Sequence, residues 1–233
     1  MSGTLGTFEP IENIQEKLDN FITRRKEGGK VLCSSINIHP KIWMLKDNIK
    51  LFTGVVFDEY RRISKRIVKN EEGRFRVEGV EETVDTRMGQ FFVTEKSIIL
   101  AERAADKYFI FRVVSQALNG TDKYIRPVTI DIQQIAQDYR KNWLGSIIRN
   151  GHWQSGVLYG DDLRRDSVIG REFIKCTKNQ IGIETAYFGG RKKVRITRDG
   201  TIVVYANLTN NLDLFVDFIR EELLRYVEQE TRV

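Results

Sequence analysis

Two short segments concentrate the residues best suited to chemistry. Arg61-Arg62-Ile63-Ser64-Lys65-Arg66-Ile67-Val68-Lys69 and Arg191-Lys192-Lys193-Val194-Arg195-Ile196-Thr197-Arg198 each hold five basic residues and no acidic one. Together they supply +10, whereas the 233-residue chain is only +6, so the remainder sums to −4. Basicity confined to stripes is the footprint of polyanion binding. Lys and Arg heads on a β-ribbon, where alternate residues share a face, would neutralise backbone phosphates and release their counterions. Phe57, Tyr60, Phe75, Tyr187 and Phe188 lie close enough in sequence to stack on bases. Charged sheet edges also prevent aggregation, but five cations in one segment exceed that need. The candidate contact residues are Arg61, Arg62, Lys65, Arg66, Lys69, Arg191, Lys192, Lys193 and Arg195.

Other constellations carry less. Tyr159-Gly160-Asp161-Asp162 resembles the metal-binding turn of RNA-dependent RNA polymerases, where paired aspartates hold divalent ions for nucleotidyl transfer. In those enzymes the turn joins two apolar strands. Here Leu163-Arg164-Arg165-Asp166 follows and predicts a helix, which the aspartates would cap. A metal-dependent nuclease or nucleotidyltransferase using Asp161 and Asp162, with Asp166 or Glu172, is the enzymatic alternative. Cys33, His39, His152 and Cys176 are the only Cys and His residues, and no pair has finger-like spacing for zinc. Ser155 follows His152-Trp153-Gln154, but neighbours in sequence rarely form a nucleophile–base pair. The chain has no nucleophile elbow and no Walker-type loop. The polar loop Gly151-His152-Trp153-Gln154-Ser155-Gly156 has the character of a ligand-contacting loop, or of one whose Trp packs on a helix end. No catalytic residue, metal or cofactor is implied.

The elements that must position these residues follow from periodicity. Ile11, Ile14, Leu18 and Phe21/Ile22 predict a helix ended by Gly28-Gly29, and Lys30–Ile38 and Leu51–Phe57 read as strands. Residues 61–69, a turn at Asn70-Glu71-Glu72-Gly73 and a return at 74–77 predict a basic hairpin. Gln90–Thr94 and Ser97–Leu100 form a second hairpin, followed by a helix through Tyr108, Phe111 and Leu118 closed by Asn119-Gly120. Ile132, Ile135, Ala136, Tyr139, Trp143 and Ile147 predict a helix over 131–149. Another helix would run from Asp161-Asp162 to about Lys175. Three strands at 181–188, 193–197 and 201–205 and a helix over 212–228 close the chain.

The expected fold class is α+β, antiparallel sheets with helices packed on one face. Residues 119–127 would join two subdomains: 1–120 with the basic hairpin, and 121–233 with two helices, a three-stranded sheet and a last helix. Two distant cysteines, no basic-then-apolar leader and no bilayer-length apolar run predict a cytoplasmic protein away from membranes. The expected function is non-catalytic nucleic-acid binding through backbone phosphates, as an accessory subunit of a larger machine. The duplex-holding half of a split Argonaute-type nuclease exemplifies that class, although no residue here matches a motif of that family. A protein partner or homo-oligomer would meet exposed strand edges and the helix over 108–118. An adaptor whose basic stripes meet an acidic protein is the remaining alternative. DNA and RNA are not distinguished by the sequence.

Overall fold

The computed structural model describes residues 1–69, 73–139, 141–147, 156–208 and 210–228. The elements in chain order are β1 (Ser2–Thr7), α1 (Ile14–Leu18), β2 (Ile22–Glu27), β3 (Lys30–Ile38), β4 (Trp43–Met44), β5 (Lys50–Lys69), β6 (Phe75–Thr94), β7 (Ile98–Ala101), α2 (Lys107–Asn119), β8 (Arg126–Pro127), α3 (Ile132–Asp138), β9 (Asn142–Ile147), β10 (Gly156–Tyr159), α4 (Gly170–Lys175), β11 (Gln180–Thr185), β12 (Lys192–Thr197), β13 (Thr201–Val204) and α5 (Leu212–Phe218). A π turn and a 3-10 turn extend α5 to Tyr226. The architecture is α+β. All described strands join one antiparallel sheet in the order β10-β9-β11-β12-β13-β1-β7-β6-β5-β3-β2, with β4 on β5 and β8 on β1.

The N-terminal strand β1 is the seam. It pairs with β13 through Ser2↔Val203 and with β7 through Leu5↔Leu100, so it links strands from both halves of the chain. The alternation of a strand sends successive side chains to opposite faces, and both faces are used. Leu5, Leu100, Ile181, Ile183, Val194, Ile196 and Val204 pack with Ile135, Phe173, Phe215 and Phe218 of α3, α4 and α5. Their neighbours Ile99, Ala101, Phe91 and Val56 point the other way, against Leu18 of α1 and Phe109, Ile110 and Val113 of α2. The helices of the two halves therefore cover opposite faces of the shared sheet.

Three expectations from the sequence are corrected. The helix predicted over 131–149 ends at Asp138, and 142–147 is strand β9, paired with β10 and β11. Its start reads correctly: the Asp131 carboxylate accepts from the Gln134 amide. Its end is set by Asn142, whose side-chain amide donates to the carbonyls of Ala136 and Tyr139 and so satisfies the last turn. The helix predicted from Ile11 to Ile22 contracts to Ile14–Leu18, and Gly28-Gly29 is a hairpin turn rather than a helix stop. Both glycines have positive φ, 56° and 80°, which suits a tight β-turn. Asp161 and Asp162 do not cap α4, which begins only at Gly170. Asp166 takes that role for the approach to α4, accepting from the amides of Val168 and Ile169.

The second hairpin, the helix closed by Gly120 at φ 68°, the three C-terminal strands and the last helix lie where the sequence predicts them. Residues 70–72 of the predicted turn lie outside the described residues, as do 151–155 of the loop with His152, Trp153 and Ser155. No described helix is long and apolar enough to cross a membrane.

Candidate nucleic-acid interface

The first basic segment lies on a long two-stranded arm. β5 and β6 pair from Leu51↔Thr94 to Lys69↔Phe75. β3 pairs with β5 no further than Asp58, and β7 meets β6 only at Phe91–Val93. The eight residues from Arg62 to Lys69 carry the arm about 27 Å beyond the sheet at ~3.4 Å per residue. The register places acidic residues of β6 beside the basic residues of β5. Arg61 grips Glu82 through Nε and Nη2 at 2.8 and 3.0 Å. Arg62 reaches Asp85 at 3.2 Å and Arg66 reaches Glu78 at 3.4 Å. The Arg61 hydrogen bond holds the Glu82 carboxyl below its usual range. Lys65 and Lys69 have no ion pair among the described residues. The arm also exposes Ile63, Ile67, Phe75, Val77 and Val80, with Phe75 76% exposed.

At the root of the arm a buried carboxylate collects three guanidiniums. Asp58 accepts from Arg25 at 2.8 Å, from Arg87 at 2.8 and 3.0 Å, from Arg112 at 2.7 Å and from Ser34 at 2.6 Å. Burial pushes its carboxyl up, but the Ser34 and Arg87 hydrogen bonds and the Arg112 charge outweigh this and hold it low. Asp58 ties β2, β5, β6 and α2 together, and with Glu27 3.7 Å from Arg25 the three guanidiniums face two carboxylates.

The second segment lies on and beside β12, inside the sheet. Val194 and Ile196 face the core, so Lys193 and Arg195 project from the other face. Here the charges are not offset. Glu184 stands opposite Lys193, but its carboxylate is held by Lys141 at 3.2 Å. Arg195 stands opposite Gly182, and its Nε is buried without a hydrogen-bond partner. Arg191, Lys192, Lys193 and Arg195 have no ion pair among the described residues; only Arg198, the fifth cation, is paired, to Glu228 at 3.6 Å. Arg191 also lines an open cleft of about 410 Å³ with Lys141, Asp162, Arg165 and Glu184.

The aromatic neighbours sort differently from their sequence positions. Tyr187 and Phe188 pack edge-on and tilted against Phe218, at 5.3 and 4.9 Å, and are unavailable to bases. Phe75 is exposed at the end of the arm, and Phe57 is 37% exposed. Three aromatic residues that sequence reasoning did not assign to base stacking form the cluster beside the free cations. The Trp143 ring lies 6.4 Å from Tyr159 and 5.6 Å from Tyr205, with the Lys193 ammonium 5.0 Å over it. A bulge in the β9–β11 pairing at Gly182/Ile183 turns Trp143 onto this face. A Cβ at Gly182 would fall 2.6 Å from the indole, so glycine there is what lets the ring lie across β11. Gly182 within an apolar strand was the available signal of such a close approach.

The two basic segments share one end of the sheet, because β5 and β12 run in opposite senses. Five strand spacings separate them, about 24 Å at ~4.8 Å each. They form two surfaces, not one continuous patch.

The enzymatic alternative finds little geometry. Asp162 accepts from the Arg164 amide and pairs with Arg165 at 3.4 Å, while Asp161 is exposed. The Asp166 carboxylate is taken up by two backbone amides. Glu172 lies in the first turn of α4. His39 shares a hydrogen bond with Thr53, and Cys33 and Cys176 are free thiols on separate elements. No group of three or more His, Cys, Asp or Glu residues among the described ones could hold a metal ion. No family model and no curated protein matches the sequence.

Proposed function

We propose that this protein is a non-catalytic nucleic-acid-binding subunit of a larger machine, of the kind in which one chain holds the nucleic acid and another carries the chemistry. The observation that carries the reading is the set of four cations, Arg191, Lys192, Lys193 and Arg195, without a carboxylate partner among the described residues. Unpaired cations on a firm strand bind phosphates without first breaking an internal ion pair. The arm adds little to them, because its Arg61, Arg62 and Arg66 are paired to Glu82, Asp85 and Glu78. The arm's exposed apolar residues supply the surface for a protein partner.

The test is binding to labelled DNA and RNA, single- and double-stranded, across a salt series with and without Mg²⁺. Four neutralised phosphates predict a slope of log K against log [salt] near −3.6 on duplex DNA, at ~0.9 per contact. Replacing Arg191, Lys192, Lys193 and Arg195 by Gln is expected to flatten that slope and leave the substrate uncut in both proteins. Absence of binding at low salt would overturn the reading in favour of an adaptor for an acidic protein. Cleavage that requires Mg²⁺ would overturn it in favour of an enzyme.

A further inference from the structure

The half of the sheet formed by β9 to β13 has one face packed under α3, α4 and α5. On its other face lie Tyr159 of β10, Trp143 and Leu144 of β9, Gly182 of β11, Lys193 and Arg195 of β12, and Tyr205 just past β13. Register places Tyr159, Leu144, Gly182 and Arg195 together, since Tyr159↔Leu144, Leu144↔Gly182, Gly182↔Arg195 and Arg195↔Val203 are opposed pairs that share a face. Lys193 and Tyr205 join them by strand alternation, Trp143 by the bulge, and Glu184, opposite Lys193, shares the face but is held by Lys141. Both α1 and α2 lie on that face only over the other half of the sheet.

We infer that this face binds single-stranded nucleic acid by stacking bases on Tyr159 and Tyr205, with Lys193 and Arg195 holding the intervening phosphates. The inference deepens the proposed function and rests on it. Three observations favour a single strand over a duplex. First, the rings are open where stacking needs them: Tyr159 is 70% exposed and Tyr205 52% exposed. An exposed aromatic face is of no use to a duplex, whose bases are already stacked, but it offers a splayed base a partner whatever its identity. Second, the rings are held in place. Trp143 is 8% exposed, its indole N–H donates to the Ile183 carbonyl at 3.0 Å, and it buttresses both tyrosines from the middle. Third, the cations sit between the rings rather than around them. Lys193 lies over the central indole, and Arg195 stands one residue pair further along β12, with a guanidinium that has no carboxylate partner among the described residues. Alternating ring and cation match the alternating base and phosphate of an extended strand.

The test uses the full chain and fluorescence anisotropy with a fifteen-nucleotide oligothymidylate, the corresponding oligouridylate, a blunt duplex of the same length and inorganic polyphosphate. Oligothymidylate or oligouridylate is expected to bind at least tenfold more tightly than the duplex or polyphosphate. Tyr159→Ala and Tyr205→Ala are each expected to weaken single-strand binding about tenfold, in the range of a lost base–aromatic stack. Tyr159→Phe and Tyr205→Phe keep the rings and are expected to retain it, which separates stacking from a folding defect. Equal binding of duplex and single strand, or of polyphosphate and single strand, would overturn the inference and leave the polyanion reading intact. Loss of binding in the Phe variants as well as the Ala variants would overturn stacking specifically. No binding of any probe at low salt would overturn both.

Discussion

Lys178 shows how one side chain makes stability depend on pH. It is 4% exposed, lies 4.6 Å over the Phe173 ring, and donates to the Cys176 backbone carbonyl at 2.9 Å and to the Gln133 side-chain Oε1 at 3.3 Å. Burial pushes its ammonium down to about 8, with Cys176 opposing and Arg164 adding to the shift. In the unfolded chain a lysine titrates near ~10.4. Between those values the unfolded state holds the extra proton, so stability rises with pH across this window. Lys178→Met is expected to stabilise the fold by about 2 kcal/mol at pH 7 and to remove the rise. Urea melts from pH 7 to 10 check this, and a wild-type curve flat from pH 8 to 10 would refute it. Asp58 has the opposite sign. Its carboxyl is held low in the fold, so its contribution is complete above the unfolded value and is lost as pH falls through the folded one. Asp58→Asn is expected to cost about 3 kcal/mol at pH 7, because Arg87 and Arg112 lose their counter-charge and Arg25 keeps only Glu27, and to blunt the loss of stability below about pH 4. Equal acid sensitivity in the variant and the parent would show that the cluster contributes little.

At the scale of elements, the arm shows what a charge stripe conceals when it is read in one dimension. Residues 61–69 were legible as a basic hairpin strand, but their neighbours in space lie on β6, up to 23 residues away, and those neighbours are Glu78, Glu82 and Asp85. Residues 63–82 as a whole hold five basic and five acidic residues. Replacing them by Asn-Gly would join Arg62 to Thr83, which already face each other in register. Because the excised segment is neutral, the shortened protein is expected to keep nucleic-acid affinity within about threefold at 0.1 M salt. A larger loss, measured in the same anisotropy assay, would return the arm to the phosphate-binding surface. The mistaken helix over 131–149 has a related origin. Ile135, Tyr139, Trp143 and Ile147 repeat every four residues, and a helical stripe and an interrupted strand share that spacing. What breaks the pattern is Asn142 closing α3 and Gly145 making room for Phe173, whose ring lies 2.3 Å from where a Cβ would stand. Both are tertiary events that a periodicity does not contain. Turn chemistry was more dependable: Asn119-Gly120 and Asp199-Gly200 both mark real boundaries, since both glycines adopt positive φ.

At the scale of the molecule, the α+β class and the order of the C-terminal strands could be read locally, but the union of the two halves could not. It depends on β1, a strand of small residues whose partners β13 and β7 lie about 200 and 95 positions away. The first core combines Leu5, Leu51, Phe92 and Leu100 from residues 1–120 with Ile130, Ile196, Phe215 and Phe218 from 121–233. If the chain is divided at 120, the C-terminal part loses β1 from the edge of β13. It would then expose Ile202 and Val204 beside an unpaired strand, a recognised aggregation hazard. The N-terminal part keeps α1 and α2 on their own apolar face but leaves Leu5, Leu51 and Leu100 uncovered. Each part expressed alone is therefore expected to be insoluble or to melt without cooperativity, and co-expression of the two is expected to restore one soluble complex with a single transition. Size-exclusion chromatography and thermal melts of the two parts, alone and together, decide the matter. A monomeric C-terminal part that melts cooperatively by itself would make 119–127 a true domain boundary, and the single-strand-binding face could then be studied on residues 121–233 alone.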